Sequence, residues 1–380
     1  MEKSALNHLS DQLITRESEG LLRSLQDLAG MVDFCSNDYL GLSHNADLSQ
    51  TIEQAARLRA EKGQALAHGA TGSRLISGYS PIFDEFELAC AEMHRAEAAL
   101  LFASGYDANV GLISALAQEG QVIFCDKLLH ASLIDGLRLC KAEKRIFKHN
   151  DLEDLVKLLE QYPKETPKWI VVESIYSMDG DIAPISKLVD LKNTFNVEII
   201  VDEAHSGGLY GPGGSGLCVE LGLEKEIFAR VITFGKAWGN AGAVVLGSKI
   251  LKDYLINFAR PFIYSTAPSP LHVSSLLATL AFIKTQDSLR QKLQTNIQFF
   301  QSHCHGDAWG KSHTAIQTFF VSSNQALRAA AKKAQAAGFA VKPIVYPTVA
   351  KGQERIRITL NAGSQEKDML ILIQTLNENA

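Results

Sequence analysis

The chemistry in this sequence concentrates in two short clusters. One is Thr233-Phe234-Gly235-Lys236-Ala237-Trp238-Gly239, which follows the apolar pair Val231-Ile232. That pair reads as the end of a short strand, so Lys236 sits just beyond it, flanked by glycines. A poorly solvated lysine is held less firmly as an ammonium, because burial disfavours the charged form. The neutral amine can then form a Schiff base with a carbonyl. The other cluster is Asp202-Glu203-Ala204-His205, at the end of the apolar run Ile199-Ile200-Val201. An apolar run of this kind marks a strand buried on both faces. Ligands of open α/β sheets bind beyond the carboxyl ends of such strands. An aspartate at that position can keep a pyridinium nitrogen protonated, and His205 follows closely enough to reach the phenolate side of such a ring. A Schiff-base lysine with such an aspartate is the pair that a pyridoxal phosphate ring needs to act as an electron sink.

Two competing motifs fail on context. Asp202-Glu203-Ala204-His205 also spells the acidic box of a class of helicases, but that reading needs a phosphate loop of the form G-x-x-x-x-G-K-[ST] upstream, and the sequence has none. Gly211-Pro212-Gly213-Gly214-Ser215-Gly216 is formally G-x-G-x-x-G. A dinucleotide fingerprint joins a strand directly to a helix, whereas this run follows a loop and contains Pro212, so it reads as a mobile turn.

Other residues add to the site. Ala99–Ala103 runs into Ser104-Gly105-Tyr106 and then a helix. A glycine turn at a helix N-terminus offers free N–H groups and the positive dipole end to a phosphate. His130, after a strand and Asp126, has an imidazole able to stack on a planar ring. Ser177, in Tyr176-Ser177-Met178-Asp179-Gly180-Asp181, lies at the same sheet edge as Asp202. Arg355 and Arg357 alternate with apolar residues, so they share one strand face, and an arginine there is a natural clamp for a carboxylate.

These residues need a scaffold, and the chain has the length for one large domain and a smaller one, at 380 residues. Apolar residues at 46% and charged residues at 21% are ordinary for a globular protein, and a net charge of −5 gives no reason to expect nucleic acid or an anionic membrane as partner. The six cysteines are scattered without a C-x-x-C pair, which indicates neither a metal site nor a disulfide framework. The N-terminus lacks the apolar core of a signal peptide and no apolar run is long enough to span a bilayer, so the cytoplasm is the expected location. A leucine stripe (Leu6, Leu9, Leu13, Leu21, Leu22, Leu25) predicts one helix over 5–28, followed by a short strand at Val32–Cys35.

From about 80 to 250 strand and helix patterns alternate. Strands are predicted at Ala98–Ala103, Val122–Cys125, Arg145–Phe147, Trp169–Glu173, Val197–Asp202, Arg230–Phe234 and Gly242–Gly247, with helices such as Phe83–Arg95, Asn109–Ala117, Asp151–Glu160 and Ile185–Phe195 between them. This predicts an α/β domain whose mostly parallel seven-stranded sheet carries helices on both faces. Two helical stretches occupy roughly 250–303. A small α+β unit follows, with strands at Ile316–Val321, Gly338–Val345 and Arg355–Leu360. The expected division is an N-terminal segment 1–45, a large cofactor-binding domain 46–255, and linker helices with the small C-terminal domain 256–380.

Taken together the motifs resemble those of the α-oxoamine synthases, which are fold-type I pyridoxal phosphate enzymes. The resemblance runs from Ser36-Asn37-Asp38-Tyr39-Leu40-Gly41-Leu42 to Arg357, through Gly72-Ser73-Arg74-Leu75-Ile76-Ser77-Gly78, His130-Ala131-Ser132 and Ser177–Asp181 to the two clusters above. Gly72–Tyr79 and Thr233–Lys236 are most similar to the biotin-pathway branch. The resemblance implies a decarboxylating condensation of L-alanine with pimeloyl-CoA. It assigns the cofactor's Schiff base and the proton movements to Lys236, the pyridinium nitrogen to Asp202, the ring face to His130 and the O3′ side to His205 and Ser177. Gly105, Tyr106 and Thr233 become the phosphate cradle. Thr266 reaches the phosphate of a neighbouring subunit, Asn37 stands at the shared site of a homodimer, Arg357 binds the amino-acid carboxylate, and Arg23 lies near the acyl substrate. Where that branch often reads Arg-Pro-Pro-Thr-Val-Pro, this chain has Val345-Tyr346-Pro347-Thr348-Val349-Ala350. Thr348 remains a candidate substrate contact, while the arginine is missing and the acyl chain is left open. Trp238 also stands where a smaller residue, leucine or phenylalanine is common. Another acyl-CoA or amino acid, a transaminase, and a cofactor-binding regulator stay as alternatives; the last predicts lost site residues.

Overall fold

The computed structural model describes residues 5–64 and 66–378. The chain opens with helix α1 (Ala5–Ser18) and strand β1 (Val32–Asp33), then α2 (Ala46–Glu61) and α3 (Ile82–Met93). Strands and helices then alternate: β2 (Ala98–Phe102), α4 (Gly105–Leu116), β3 (Val122–Asp126), α5 (Ala131–Leu139), β4 (Glu143–Phe147), α6 (Leu152–Leu159), β5 (Lys168–Glu173), α7 (Ile185–Phe195), β6 (Val197–Asp202), α8 (Leu217–Glu220), β7 (Ala229–Thr233) and β8 (Ala243–Gly247). Helices α9 (Lys249–Phe258), α10 (Arg260–Ile263), α11 (Pro270–Ile283) and α12 (Asp287–His303) lead to β9 (Ile316–Phe320), α13 (Asn324–Ala336), β10 (Phe339–Ala340), β11 (Lys342–Ile344), β12 (Arg355–Thr359) and α14 (Glu366–Asn377).

Two compact units emerge from the contacts. One is Ser36–Thr295 with Asn361–Gly363; the other joins the segment ending at Cys35 to Asn296–Leu360 and the chain from Ser364 onward. These boundaries differ from those expected at 45 and 255. The helices after 255 stay with the large unit because they bond to it: Leu271 N–H donates to Ala67 O (3.2 Å), Ala267 N–H to Gly72 O (3.0 Å), and Asn240 Nδ2 to Thr279 Oγ1 (3.1 Å).

The large unit is built on a seven-stranded sheet of order β2-β8-β7-β6-β5-β3-β4. All neighbouring pairs are parallel except the two made by β8, which runs antiparallel to both β2 and β7. The expected α/β fold is therefore observed. The central strands are buried along their length, as in Lys168–Glu173 and Ala229–Thr233, so the Val/Ile runs follow from covering both sheet faces. Parallel strands share one polarity, so β3, β5, β6 and β7 deliver their last residues, Asp126, Glu173, Asp202 and Thr233, to the same edge.

The small unit contains an antiparallel sheet of order β11-β12-β9 and a parallel pair, β1 with β10. The strand expected over Gly338–Val345 is split, its first part pairing with β1 and its second with β12. The helix expected over 5–28 ends at Ser18. Gly20 takes φ +67° and Leu21 N–H reaches back to Arg16 O (2.7 Å), a glycine stop that a leucine count passes over. None of the residues of α1 is buried, so its leucine stripe faces outward.

The glycine run at 211–216 is also more fixed than a mobile turn. Gly208 N–H donates to Gly214 O (2.8 Å) and Gly216 N–H to Tyr210 O (2.7 Å). A Cβ on Gly214, whose φ is +84°, would stand 2.6 Å from Gly208 O, so close backbone approach explains the glycine.

A partly buried ion cluster locks one corner of the sheet edge. His149 lies between Asp126 Oδ1 (2.8 Å) and Asp181 Oδ2 (2.6 Å), edge-on to the Tyr176 ring at 4.4 Å. Burial opposes the imidazolium, but the two carboxylates outweigh it and push His149 up to about 10. A histidine raised on folding contributes fully below its ordinary value of 6.5 and loses that contribution as pH climbs through about 10. His149→Gln is therefore expected to melt several degrees below the parent at pH 6, with the gap closing toward pH 10 in thermal scans. A gap of constant size would assign the loss to packing on Tyr176 instead.

Candidate active site

The strand ends open into a cavity of about 360 Å³, a size suited to a small cofactor. Its lining includes Asn37, Gly105, Tyr106, His130, Asp202, His205, Thr233 and Lys236, so eight of the residues singled out in the sequence meet at one place. A second cavity of about 410 Å³ lies beside Arg95, Lys192 and Glu224, but there Arg95 faces Glu224 (3.8 Å) and Lys192 faces Glu198 (3.5 Å). It lacks the lysine–aspartate pair.

Asp202 is 5% exposed and is held by two donors. Oδ1 accepts the Ala204 N–H (2.9 Å), and Oδ2 accepts Nδ2 of Asn109 (2.7 Å). The same amide donates to Ser132 Oγ (3.0 Å), which lies 2.8 Å from His130 Nδ1. Nδ1 also accepts the Ser132 N–H (3.2 Å), which makes the His130 side chain the N-cap of α5. An accepting Nδ1 places the ring proton on Nε2. Burial holds His130 below the usual imidazole range; Asp202 opposes this and Lys236 reinforces it. The imidazole is thus a neutral, oriented plate beside the carboxylate.

Lys236 is half-buried in the loop between β7 and β8, its Nζ 3.4 Å from Thr233 Oγ1. Phe234 N–H to Gly242 O (2.9 Å) and Asn240 N–H to Phe234 O (2.8 Å) tie both ends of this loop. Trp238 is fully buried and packs on Phe234 (centroids 4.6 Å) and His94 (6.2 Å), so it supports the loop from the core side. Helix α4 starts at Gly105 with Ser104 as its N-cap, the hydroxyl accepting the Asp107 N–H (3.0 Å). A Cβ on Gly105 would stand 2.6 Å from Thr233 Cγ2. The helix start is thus pressed against the end of β7, and its N-terminal N–H groups face the cavity as an anion site.

His205 is oriented by Tyr39, whose hydroxyl lies 2.6 Å from Nδ1 and 3.3 Å from Asn37 Oδ1. Ser177 is buried in the turn after β5, and its N–H donates to the Glu173 carboxyl. Tyr106 is half exposed and its hydroxyl donates to Asp135. Thr266 is exposed in the loop after α10. Arg23, Thr348 and Arg357 belong to the small unit. There Arg23 Nη2 donates to Thr348 Oγ1 (3.4 Å), while Arg357, 8% exposed, donates to Thr359 Oγ1 (3.0 Å). Arg355 lies 4.9 Å over the Phe320 ring and is buried as well, which excludes a solvated charge row for this strand.

Sequence reasoning missed five polar residues of the cavity region: Tyr39, Asn109, Ser132, Glu173 and Asn240. Tyr39 and Ser132 sit inside quoted motifs, but Asn109 carries no signal beyond its place in a helix. Glu173 was legible only as the polar end of an apolar strand.

The residues present suit pyridoxal phosphate: an amine at Lys236, a buried acceptor at Asp202, a neutral ring at His130 and a helix N-terminus whose glycine any Cβ would block. Among the described residues no group of three or more His, Cys, Asp or Glu could hold a metal, and no helix is long and apolar enough to cross a membrane.

Comparison with known proteins agrees. The family model described as aminotransferase class I and II matches residues 29–376. The 8-amino-7-oxononanoate synthase of Emericella nidulans is 37% identical over 401 residues, covering 98% of this chain and 95% of that protein. Among solved structures, serine palmitoyltransferase from S. paucimobilis, bearing a PLP–myriocin aldimine, matches with TM-score 0.87 and 25% identity over 100% of this chain and 98% of its own. The 8-amino-7-oxononanoate synthase of Francisella tularensis matches with TM-score 0.77 and 28% identity over 92% of this chain and 97% of that one.

The Asn109 amide bridges Asp202 and Ser132, so Asn109→Leu strips a donor from two buried oxygens. Such stripping costs about 1–3 kcal/mol. The expected result is a lower urea midpoint at unchanged slope; an unchanged midpoint would remove the bridge from the account.

Proposed function

This chain belongs to the aminotransferase class I and II family, and within it to the α-oxoamine synthases, and from that premise we propose that it condenses L-alanine with pimeloyl-CoA to give 8-amino-7-oxononanoate, CoA and CO2. It is a pyridoxal phosphate-dependent acyltransferase. The observation that carries the substrate reading is the meeting of Lys236, Asp202, His130 and the α4 N-terminus in one cavity, in a chain aligned nearly end to end with synthases of that name.

When bound, the cofactor supplies an aldehyde for an amine to capture and a cationic ring that takes up an electron pair from a substrate carbon. In this reading Lys236 Nζ would hold the cofactor through its aldehyde and would be free once alanine is bound. The freed Nζ then takes the Cα proton of alanine as general base. Asp202 keeps the ring nitrogen protonated, and its two hydrogen bonds fix its carboxylate for that purpose. Neutral His130 flanks the ring without adding a positive charge that would compete with the pyridinium. Gly105, Tyr106 and Thr233 would hold the phosphate, and His205 and Ser177 would serve the O3′ side.

The bond changes balance with these residues alone moving protons. A carbon–carbon bond forms between alanine Cα and the thioester carbon, and the carbon–sulfur bond breaks, releasing CoA as thiolate. The carboxylate leaves as CO2 with its electron pair retained at Cα, where Lys236 returns a proton. Arg357 is the proposed clamp for the amino-acid carboxylate. Arg23 and Thr348, joined by a hydrogen bond, are the proposed contacts for the acyl substrate. The proposed working form is a homodimer in which Asn37 and the exposed Thr266 serve the shared site.

A second reading keeps the mechanism and changes the acyl-CoA or the amino acid. It is favoured by the Val345–Ala350 departure and by the higher TM-score to a serine palmitoyltransferase. Thiol release separates the two. With L-alanine present, the cofactor-loaded protein is expected to free CoA from pimeloyl-CoA, and Lys236→Ala to reduce the rate by about 10²–10⁴-fold or more. Release from palmitoyl-CoA with L-serine, and none from pimeloyl-CoA, would replace the first reading by the second.

A further inference from the structure

Glu173 is a buried acid that the reaction as written does not use. It ends β5 and stands opposite Asp202 of β6 in the parallel register. It is 2% exposed, yet it lines the cavity that holds Lys236. Among the described residues no arginine or lysine bridges to its carboxyl. Instead the carboxyl accepts two backbone N–H groups, one from His130 at the start of α5 and one from Ser177 in the turn after β5. Burial, and then the charge of Asp202, push the carboxyl well above the usual range, against these donors and the Lys236 ammonium. An acid kept in so unfavourable a place with no cation bonded to it needs a use, because an apolar side chain would avoid the desolvation cost.

We propose that Glu173 is a positioning residue for the cofactor: one carboxyl fixes the backbone of both His130 and Ser177, and so sets the spacing between the imidazole plate and the O3′-side hydroxyl. The inference rests on the cofactor reading above. The two loops come from different strands, His130 from the end of β3 and Ser177 from the end of β5, so they need a common anchor. A carboxyl accepts from both donors at once. A glutamine offers one oxygen where the carboxyl offers two, and its NH2 group cannot accept. The far side of the Ser177 turn is held separately, where Asp181 meets His149. The two anchors therefore have different readouts: His149 governs stability against pH, Glu173 the seating of the cofactor.

The test compares the holoenzymes of Glu173→Gln and Glu173→Ala with the parent, by cofactor release on dilution and by circular dichroism of the cofactor's visible band. Loss of buried hydrogen bonds to the two loops is expected to weaken cofactor binding about tenfold in Glu173→Ala and about threefold in Glu173→Gln. The visible dichroism per bound cofactor falls in the same order. Because Glu173 acts partly through His130, adding Glu173→Ala to His130→Ala is expected to cost less than Glu173→Ala alone. Parental cofactor affinity and dichroism in Glu173→Ala, or full additivity with His130→Ala, would overturn the proposal and leave Glu173 as packing. If Glu173→Ala does not fold, Glu173→Gln decides alone, and parental affinity there overturns the proposal too. A parent protein that takes up no pyridoxal phosphate would overturn the cofactor reading itself, which is a separate and recognisable failure.

Discussion

Three carboxyl groups buried at the ends of neighbouring strands are the constraint around which this site is organised. Asp126, Glu173 and Asp202 close β3, β5 and β6, and none is more than 5% exposed. A buried charge without partners is costly, so each must be satisfied by whatever chain comes next. Asp126 recruits a full cation, His149, and is held below the usual carboxylate range even though burial pushes the other way. Asp202 recruits only neutral donors, an asparagine amide and a backbone N–H, which hold the carboxylate in place without cancelling its charge. Glu173 recruits backbone N–H groups from two loops. The same kind of group thus does three jobs according to its partners: a structural ion pair, a charge kept for a ligand, and a clamp.

The loops around the site follow from these demands. The stretch after β3 returns through His130 to Glu173, and the turn after β5 is bonded to Glu173 and His149. Residues 202–205 fold so that Ala204 N–H reaches back to Asp202. His130, Ser177 and Asp202 are each placed partly by hydrogen bonds of the backbone around them. This is more rigid than side-chain packing alone and suits a site whose parts must keep a fixed spacing.

How much of this was legible in the sequence depended on whether the signal was local. The sheet strands were readable because double burial writes a continuous Val/Ile run, and Lys236 and Asp202 because they stand where such runs end. The helix Ala46–Glu61 was missed because only Leu48 is buried, so it has no apolar stripe to count. The helix Ala131–Leu139 was missed because its cap is a histidine, which is not among the residues that ordinarily announce a helix start. Asn109, Tyr39 and Glu173 were illegible as site residues for another reason. Each acts on a partner far away in the chain, and a polar residue in an ordinary helix or strand does not say which partner it will meet. The outward leucine stripe of α1 shows the converse, a pattern that promises burial and is not buried in the single chain.

The hydrogen bonds that define the site join remote parts of the sequence: Asn109 to Asp202 across 93 positions and Tyr39 to His205 across 166. Contacts of such high separation carry a loop-closure entropy cost that local contacts do not, and they need both distant parts of the chain in place. No short piece of this chain can therefore assemble a partial site. The lysine loop returns locally from β7 to β8, but its carboxylate, imidazole and helix start arrive only when the whole sheet has closed. Competence to hold a ligand is thus an all-or-none property of the large unit, and a nascent chain would acquire it only after α4, β6 and the β7–β8 return are all in place.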